Sequence, residues 1–165
     1  IGGLTAKKFA SLGYRVVGWS KTAKSLDGVD CRHGDPALAE VLGIADYLVC
    51  ILPSTPETRD FINQERLAHM KPTSVLINAG RGDLVVDQNL TNALDNGTIA
   101  HAVLDVFRQE PLPPDHPFWK HPGITVTPHV SGWHQGDALL DVAANYKRLI
   151  AGEPLLHEVD RSAGY

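Results

Sequence analysis

A doubly wound parallel α/β sheet is the fold class that three observations predict. Short apolar runs alternate with amphipathic stretches at βα spacing along the chain. The runs are continuous, as in parallel strands covered on both faces, and not alternating as in half-exposed antiparallel strands. Each run also gives way to polar or glycine-rich residues at its carboxyl end, the edge where open α/β sheets bind ligands.

The 165 residues are 43% hydrophobic and carry 15 basic and 19 acidic side chains. That suits one ordinary domain and leaves no basic excess for nucleic acid. No apolar run approaches the roughly 20 residues needed to span a bilayer, and no charged-then-apolar leader opens the sequence. No membrane partner is expected, and the default address is the cytoplasm. Cys31 and Cys50 are isolated, and Cys50 lies in an apolar run as a small buried hydrophobe, so no disulfide is expected.

Taken in order, Leu4, Ala6, Phe9, Ala10 and Leu12 predict a short helix stopped by Gly13, and Arg15-Val-Val-Gly-Trp19 a strand. A glycine opening a helix that leads to a strand is the second half of a dinucleotide-binding βαβ unit. Of the fingerprint Gly-x-Gly-x-x-Gly only the last glycine is present, placed at Gly2, and the strand before it is absent. About 20 residues past that glycine an acidic side chain would bind the ribose of NAD, and basic ones the 2′-phosphate of NADP. Ser20-Lys21-Thr-Ala-Lys24 offers no carboxylate there. NADP(H) is therefore favoured, with NAD(H) possible; the plainer alternative is that Lys21 and Lys24 are solvated loop lysines.

Residues 25–46 read as a loop followed by a short helix over Ala37–Leu42, and Tyr47–Leu52 as a second strand. Thr55 can cap a helix with Pro56 at its first position, directly after that strand. Arg66–Met70 closes the unit. Ser74-Val-Leu-Ile-Asn78-Ala-Gly-Arg81-Gly-Asp83 is a buried strand running into a glycine-rich turn that carries one fixed cation. A guanidinium there can grip a carboxylate through two parallel hydrogen bonds, although arginines after strands also serve as structural ion-pair partners. Asp87 then caps a helix carrying Leu90, Ala93 and Leu94 that ends at Asn96-Gly97. Ala100–Phe107 and Ile124–His129 are further strands, and Asp137–Ala151 is a last long helix before a polar tail.

Strand ends thus deliver Arg81, then Asp105 with Glu110, then His129. A cation that clamps a carboxylate, a carboxylate that holds an imidazole, and an imidazole that moves a proton are the parts needed to reduce a 2-oxo acid, with hydride supplied by a dinucleotide. Singly, Asp105 and Glu110 also read as local caps and His129 as a surface histidine. His101, His116, His121, His129 and His134 invite a metal, but their spacing lacks the paired ligands of a zinc site, so none is expected.

Asn78-Ala-Gly-Arg81-Gly with Val85-Val-Asp87, Leu104-Asp105-Val-Phe107-x-x-Glu110-Pro-Leu-Pro113, and Thr127-Pro-His129-Val together resemble the D-isomer-specific 2-hydroxyacid dehydrogenases. Within that family, Gly18-Trp-Ser-Lys21, Leu52-Pro-x-Thr-Pro-Glu-Thr58 and Val159-Asp-Arg161-x-x-Gly-Tyr165 look most like the glyoxylate/hydroxypyruvate reductase A type. The resemblance implies a Rossmann-type NAD(P)-binding domain in an oxidoreductase that passes hydride from NADPH to glyoxylate or hydroxypyruvate. It makes Arg81 the binder of substrate, His129 the general acid and Glu110 its partner, expected to raise the His129 pKa above about 6.5. It implies cofactor contacts from Ile1 and Gly2, from Ser20, Lys21 and Lys24, from Leu52, Pro53 and Thr58, from the backbone of Ala79 and Gly80, and from Asp105 and Ser131. Trp133 and His134 are candidates for the substrate pocket, Trp133 equally for a covering aromatic. Members of the family commonly dimerise through the nucleotide domain, so a homodimer is implied.

Compared with that family, the first strand, two fingerprint glycines and an upstream substrate domain are missing. Residues 1–134 are expected to be the NAD(P)-binding domain without its first strand. Residues 135–165 are expected to be a crossover helix and tail completing the missing domain, so that the chain is an N-terminally truncated part of a longer enzyme with Tyr165 at or near its end. The alternatives are a non-catalytic dinucleotide-binding fragment and another 2-hydroxyacid dehydrogenase, such as a phosphoglycerate dehydrogenase-like enzyme.

Overall fold

The computed structural model describes residues 1–132 and 138–159. Along the chain, α1 (Gly2–Ser11), β1 (Val17–Ser20), β2 (Asp30–His33), α2 (Asp35–Ile44) and β3 (Tyr47–Cys50) are followed by α3 (Gln64–Ala68) and β4 (Val75–Asn78). Then come a 3-10 turn (Gly82–Leu84), α4 (Asp87–Asp95), β5 (His101–Leu104), a second 3-10 turn (Pro117–Trp119), β6 (Ile124–Val126) and α5 (Ala138–Ala151). All strand pairings within the sheets are parallel, in the orders β1-β2 and β3-β4-β5-β6.

The four-stranded sheet is the frame of the molecule. Leu76 of β4 and Ala102 and Leu104 of β5 are buried in one core with Leu38 and Leu42 of α2, Leu67 of α3 and Leu90 and Ala93 of α4. Each large aliphatic residue removed from water there stabilises the fold by about 1.5–3 kcal/mol before the cost of ordering the chain. The β1-β2 pair joins this core through Trp19, which stacks at a tilt on Phe61 of the segment between β3 and α3, with ring centroids 5.5 Å apart.

Four local expectations are corrected. Residues 30–33 are a strand and not part of a loop, paired in register with β1 from Val17↔Asp30 to Ser20↔His33. The stretch after Thr55 is a turn and not a helix. Thr55 and Thr58 bond each other reciprocally, Thr55 N–H to Thr58 Oγ1 at 2.8 Å and Thr58 N–H to Thr55 Oγ1 at 3.3 Å. That closes one turn, and Asp60 at φ 57° stops it; the helix that follows is α3, capped by the Asn63 side chain on Arg66 N–H. Asp87 is the first residue of α4 and not its cap, because its carboxylate faces Arg108 and His116. The last strand ends at Val126 and not at His129.

Tyr47 and Val49 on β3 are 67% and 36% exposed. The apolar residues Leu4 and Leu12 near α1, and Leu139, Leu140, Val142, Tyr146, Leu149 and Ile150 on α5, are exposed as well. The tail returns along α5 where the Asn145 side chain pairs both backbone groups of Leu156, at 2.7 and 3.1 Å. The expected boundary between residues 134 and 135 lies outside the described residues. No helix among them is long and apolar enough to cross a membrane.

Candidate active site

Register brings the site together. Cys50 pairs with Asn78, Asn78 with Leu104, and Leu104 with Val126, so β3, β4, β5 and β6 end level with one another. The segments leaving those ends carry Leu52–Thr58, Ala79–Arg81, Asp105–Glu110 and Thr127–Ser131 along one edge of the sheet.

After β4 the chain is turned by Asn78, which is buried. Its Oδ1 accepts the Gly80 N–H at 3.1 Å and its Nδ2 donates to the Arg81 carbonyl at 2.9 Å. Asn78 is a functional residue that sequence reasoning quoted only as part of a motif; an amide side chain at the last position of an apolar strand is the signal for it. Gly80 and Gly82 are required by close packing. A Cβ on Gly80 would lie 2.8 Å from the Leu52 carbonyl oxygen, and one on Gly82 1.9 Å from the Phe107 carbonyl carbon. The Arg81 side chain emerges exposed, donates to the Gly80 carbonyl at 2.8 Å, and forms no ion pair among the described residues.

Glu110 and His129, nineteen residues apart, meet with Nδ1 of the ring 2.7 Å from Glu110 Oε2. The second carboxylate oxygen accepts the Phe107 N–H at 2.9 Å. Partial burial works against the Glu110 charge, but the bonds from His129 and Phe107 and the positive charges of His129 and Arg81 hold its pKa below the usual glutamate value. A carboxylate on Nδ1 fixes the ring so that Nε2 is the nitrogen free to act, and Nε2 has no hydrogen-bond partner among the described residues.

His129 adopts φ 51°, a left-handed conformation that the loop around it must hold. Asp105 does so. Its Oδ1 accepts the Thr127 hydroxyl at 2.5 Å and the Val130 N–H at 3.0 Å, and its Oδ2 accepts the Ser131 N–H at 2.8 Å. Burial opposes its ionisation, but the Ser131 and Thr127 hydroxyls and the two amides outweigh it and draw its pKa down to about 2. Asp105 and Ser131, both read from the sequence as cofactor contacts, are in this structure partners of each other across the histidine loop.

Residues 1–131 match the sequence profile described as D-isomer specific 2-hydroxyacid dehydrogenase, NAD binding domain. The chain belongs to this family. It is 41% identical to a glyoxylate/hydroxypyruvate reductase A of Serratia proteamaculans, over 100% of the chain and 53% of the relative. Among solved structures, a D-isomer specific 2-hydroxyacid dehydrogenase from Xanthobacter autotrophicus in complex with NADPH and MES superposes with a TM-score of 0.93 at 44% identity, covering 99% of this chain and 68% of that one. An NADPH-dependent glyoxylate/hydroxypyruvate reductase from Sinorhizobium meliloti in complex with NADP and sulfate gives 0.92 at 39%, covering 99% and 54%. The chain spans about half the length of the curated relatives it matches.

The other residues expected to touch the dinucleotide of a 2-hydroxyacid dehydrogenase lie at four places along the chain. Ile1 and Gly2 open α1, which has neither a capping side chain nor an acidic residue in its first turn, and a Cβ on Gly2 would meet open space. A bare helix amino end of this kind suits a pyrophosphate. Ser20 closes β1, with Lys21 and Lys24 exposed beyond it. Lys21 is 2.5 Å from Glu57 of the Thr55 turn, a carboxylate that the sequence did not put beside it. Leu52, Pro53 and Thr58 lie in the segment after β3, where the Thr58 hydroxyl donates to the Pro53 carbonyl at 2.6 Å. The Ala79 and Gly80 amides are taken up by Cys50 O at 3.1 Å and Asn78 Oδ1 at 3.1 Å. The residues present therefore fit a dinucleotide, Thr58 by shaping the turn. Trp133, His134 and the motif from Asp160 to Tyr165 lie outside the described residues.

Proposed function

We propose that this chain carries the cofactor-binding and proton-transfer side of an enzyme that reduces a small 2-oxo acid, glyoxylate or hydroxypyruvate, to the 2-hydroxy acid at the expense of NADPH. The observation that carries the reading is the Glu110–His129 pair at 2.7 Å on the edge where Arg81 stands without an ion-pair partner among the described residues. The names of the similar reductases support the substrate class.

In this mechanism Arg81 holds the substrate carboxylate through its fork, which also draws electron density toward the neighbouring carbonyl oxygen. In its acid form His129 keeps Nδ1–H on Glu110 and presents Nε2–H to the substrate. As the carbonyl carbon accepts hydride, the carbonyl π pair moves onto oxygen and Nε2 gives its proton there, leaving neutral imidazole beside a carboxylate. Glu110 orients the ring through the step. Reduced nicotinamide dinucleotide, held by the α1 amino end, the Leu52–Thr58 turn and, at its 2′-phosphate, Ser20, Lys21 and Lys24, supplies the hydride when bound.

The test is turnover by the full-length protein, with NADPH and glyoxylate or hydroxypyruvate, followed as loss of reduced-nicotinamide absorbance. His129→Ala is expected to lower kcat by about 10²–10⁴-fold, the usual worth of a positioned general acid, and Arg81→Ala to abolish measurable reduction. An unchanged rate in His129→Ala overturns the assignment. NADPH binding without turnover in the unaltered protein would identify it instead as a dinucleotide-binding protein with no reductase activity.

A further inference from the structure

The loop between β5 and Glu110 is fastened to the Arg81 turn at two places. One is the backbone contact between Gly82 and Phe107, too close for any side chain at residue 82. The other is Arg108. Its Nε and Nη2 both donate to the Val85 carbonyl, at 2.7 and 2.5 Å, and Nη2 also reaches the Asp83 carbonyl at 3.4 Å. Asp60 binds the same guanidinium directly, Asp87 lies 3.6 Å from it, and His116 stands 3.6 Å behind Asp87.

A single contact between two loops fixes their separation and leaves rotation about it free, whereas a second contact removes the rotation. Gly82–Phe107 and Val85–Arg108 are those two contacts, and they hold the two ends of the 3-10 turn that directly follows Arg81. On the other side the same loop continues through the Phe107 N–H to Glu110 and from Glu110 to His129.

We infer that Arg108 is a positioning residue, which by locking the Phe107–Glu110 loop onto the Val85 carbonyl sets Glu110, and through it His129, at a fixed angle to Arg81. The inference rests on the proposed reduction. Only arginine can make this lock, since its planar fork addresses the Val85 carbonyl and the Asp60 carboxylate together, and a lysine ammonium offers one point charge. Asp60 belongs to the turn that follows Leu52–Thr58, and its N–H donates to the Asp83 carbonyl at 2.8 Å. The lock therefore joins three segments: the turn expected to face the dinucleotide, the turn of Arg81 and the loop of Glu110.

The test compares Arg108→Lys, Glu110→Gln and the double variant in the full-length protein, with Asp60→Asn as a milder lesion in case Arg108→Lys fails to fold. Arg108→Lys is expected to lower kcat about 10- to 100-fold, the order expected for misplacing a reacting group by a fraction of an ångström to 1 Å, while KM for NADPH stays within about two-fold. Glu110→Gln should show the same split, a lowered kcat with the KM for NADPH nearly unchanged, because both variants act on the way the carboxylate holds the His129 ring. The groups facing this pair are Arg81 on the Glu110 side and the Asp105-bound loop on the His129 side, and neither is altered. The double variant should be no worse than the more damaged single one, since both act through one contact. Asp60→Asn should show the same pattern with a smaller loss. A wild-type kcat in Arg108→Lys or Asp60→Asn, or losses that multiply in the double variant, would overturn the inference. If Glu110→Gln itself leaves the rate unchanged, the proposed proton transfer falls, and this inference with it.

Discussion

Asp105→Asn isolates what the buried carboxylate does for the histidine loop. The substitution keeps the size and removes the charge. The hydrogen bonds to Asp105 draw its pKa down to about 2 from the ordinary 3.8, a difference equivalent to about 2–3 kcal/mol of preference for the charged form in the folded state. The residue as a whole is only 5% exposed. Asparagine cannot replace it. Both carboxylate oxygens accept N–H groups, from Val130 on one side and Ser131 on the other, so one amide must face the NH2 of an asparagine in either flip. The expected loss at pH 7 is about 2–3 kcal/mol, read as a fall of about 1 M in the urea midpoint of the domain followed by tryptophan fluorescence. The pH dependence carries the sign of a depressed carboxyl. Its contribution is fully present above the unfolded-state value of about 3.9 and is lost as pH falls through about 2, so the gap between wild type and variant should close over that window. A gap that stays constant from pH 7 to pH 3 and on to 2, or no gap at pH 7, would refute the claim that this charge holds the loop.

Two further outcomes follow from geometry on the same edge. Gly82→Ala must push apart the Arg81 turn and the Phe107 carbonyl, because the added carbon would sit 1.9 Å from a backbone atom; a loss of about 3 kcal/mol or more, or failure to fold, is expected in chemical denaturation, and a near-native midpoint would contradict the close approach. Lys21→Ala should raise the KM for NADPH by about ten-fold, the worth of one charge-assisted bond to a phosphate, and leave the KM for NADH nearly unchanged. Equal effects on both cofactors would remove Lys21 from the 2′-phosphate site.

What the sequence disclosed depended on whether a residue's surroundings are local. Val75–Asn78 and its turn were legible because the apolar strand, the amide that turns it and the glycines packed behind it are consecutive. β2 was not, because Asp30-Cys-Arg-His carries no apolar pattern; its strand exists through backbone pairing to β1 and through Arg32, which bridges Asp30 at 2.9 Å and Glu40 at 2.5 Å. Thr55 misled for a specific reason. Threonines three residues apart form the reciprocal bonds of a capping box without any helix behind them. Glu110 and His129 were recognisable as parts of spaced motifs, but their contact is a product of the β5–β6 pairing. Arg108 went unnoticed because its partners, from Asp87 to Asp60, lie 21 to 48 residues away, and nothing in the residues beside it marks it as a crosslink.

The level strand ends carry a mechanical consequence. A one-residue slip between β5 and β6 would displace His129 by about 3.3 Å and send the side chains of the strand to the opposite face. The 2.7 Å separation of Glu110 and His129 tolerates a small fraction of that. The ladder from Ala102↔Ile124 to Leu104↔Val126 thus works as a ruler, and the carboxylate–imidazole pair is the gauge that reads it. Any perturbation that loosens this ladder, however remote from the cleft, should be felt first as a lengthened proton donor and only later as unfolding.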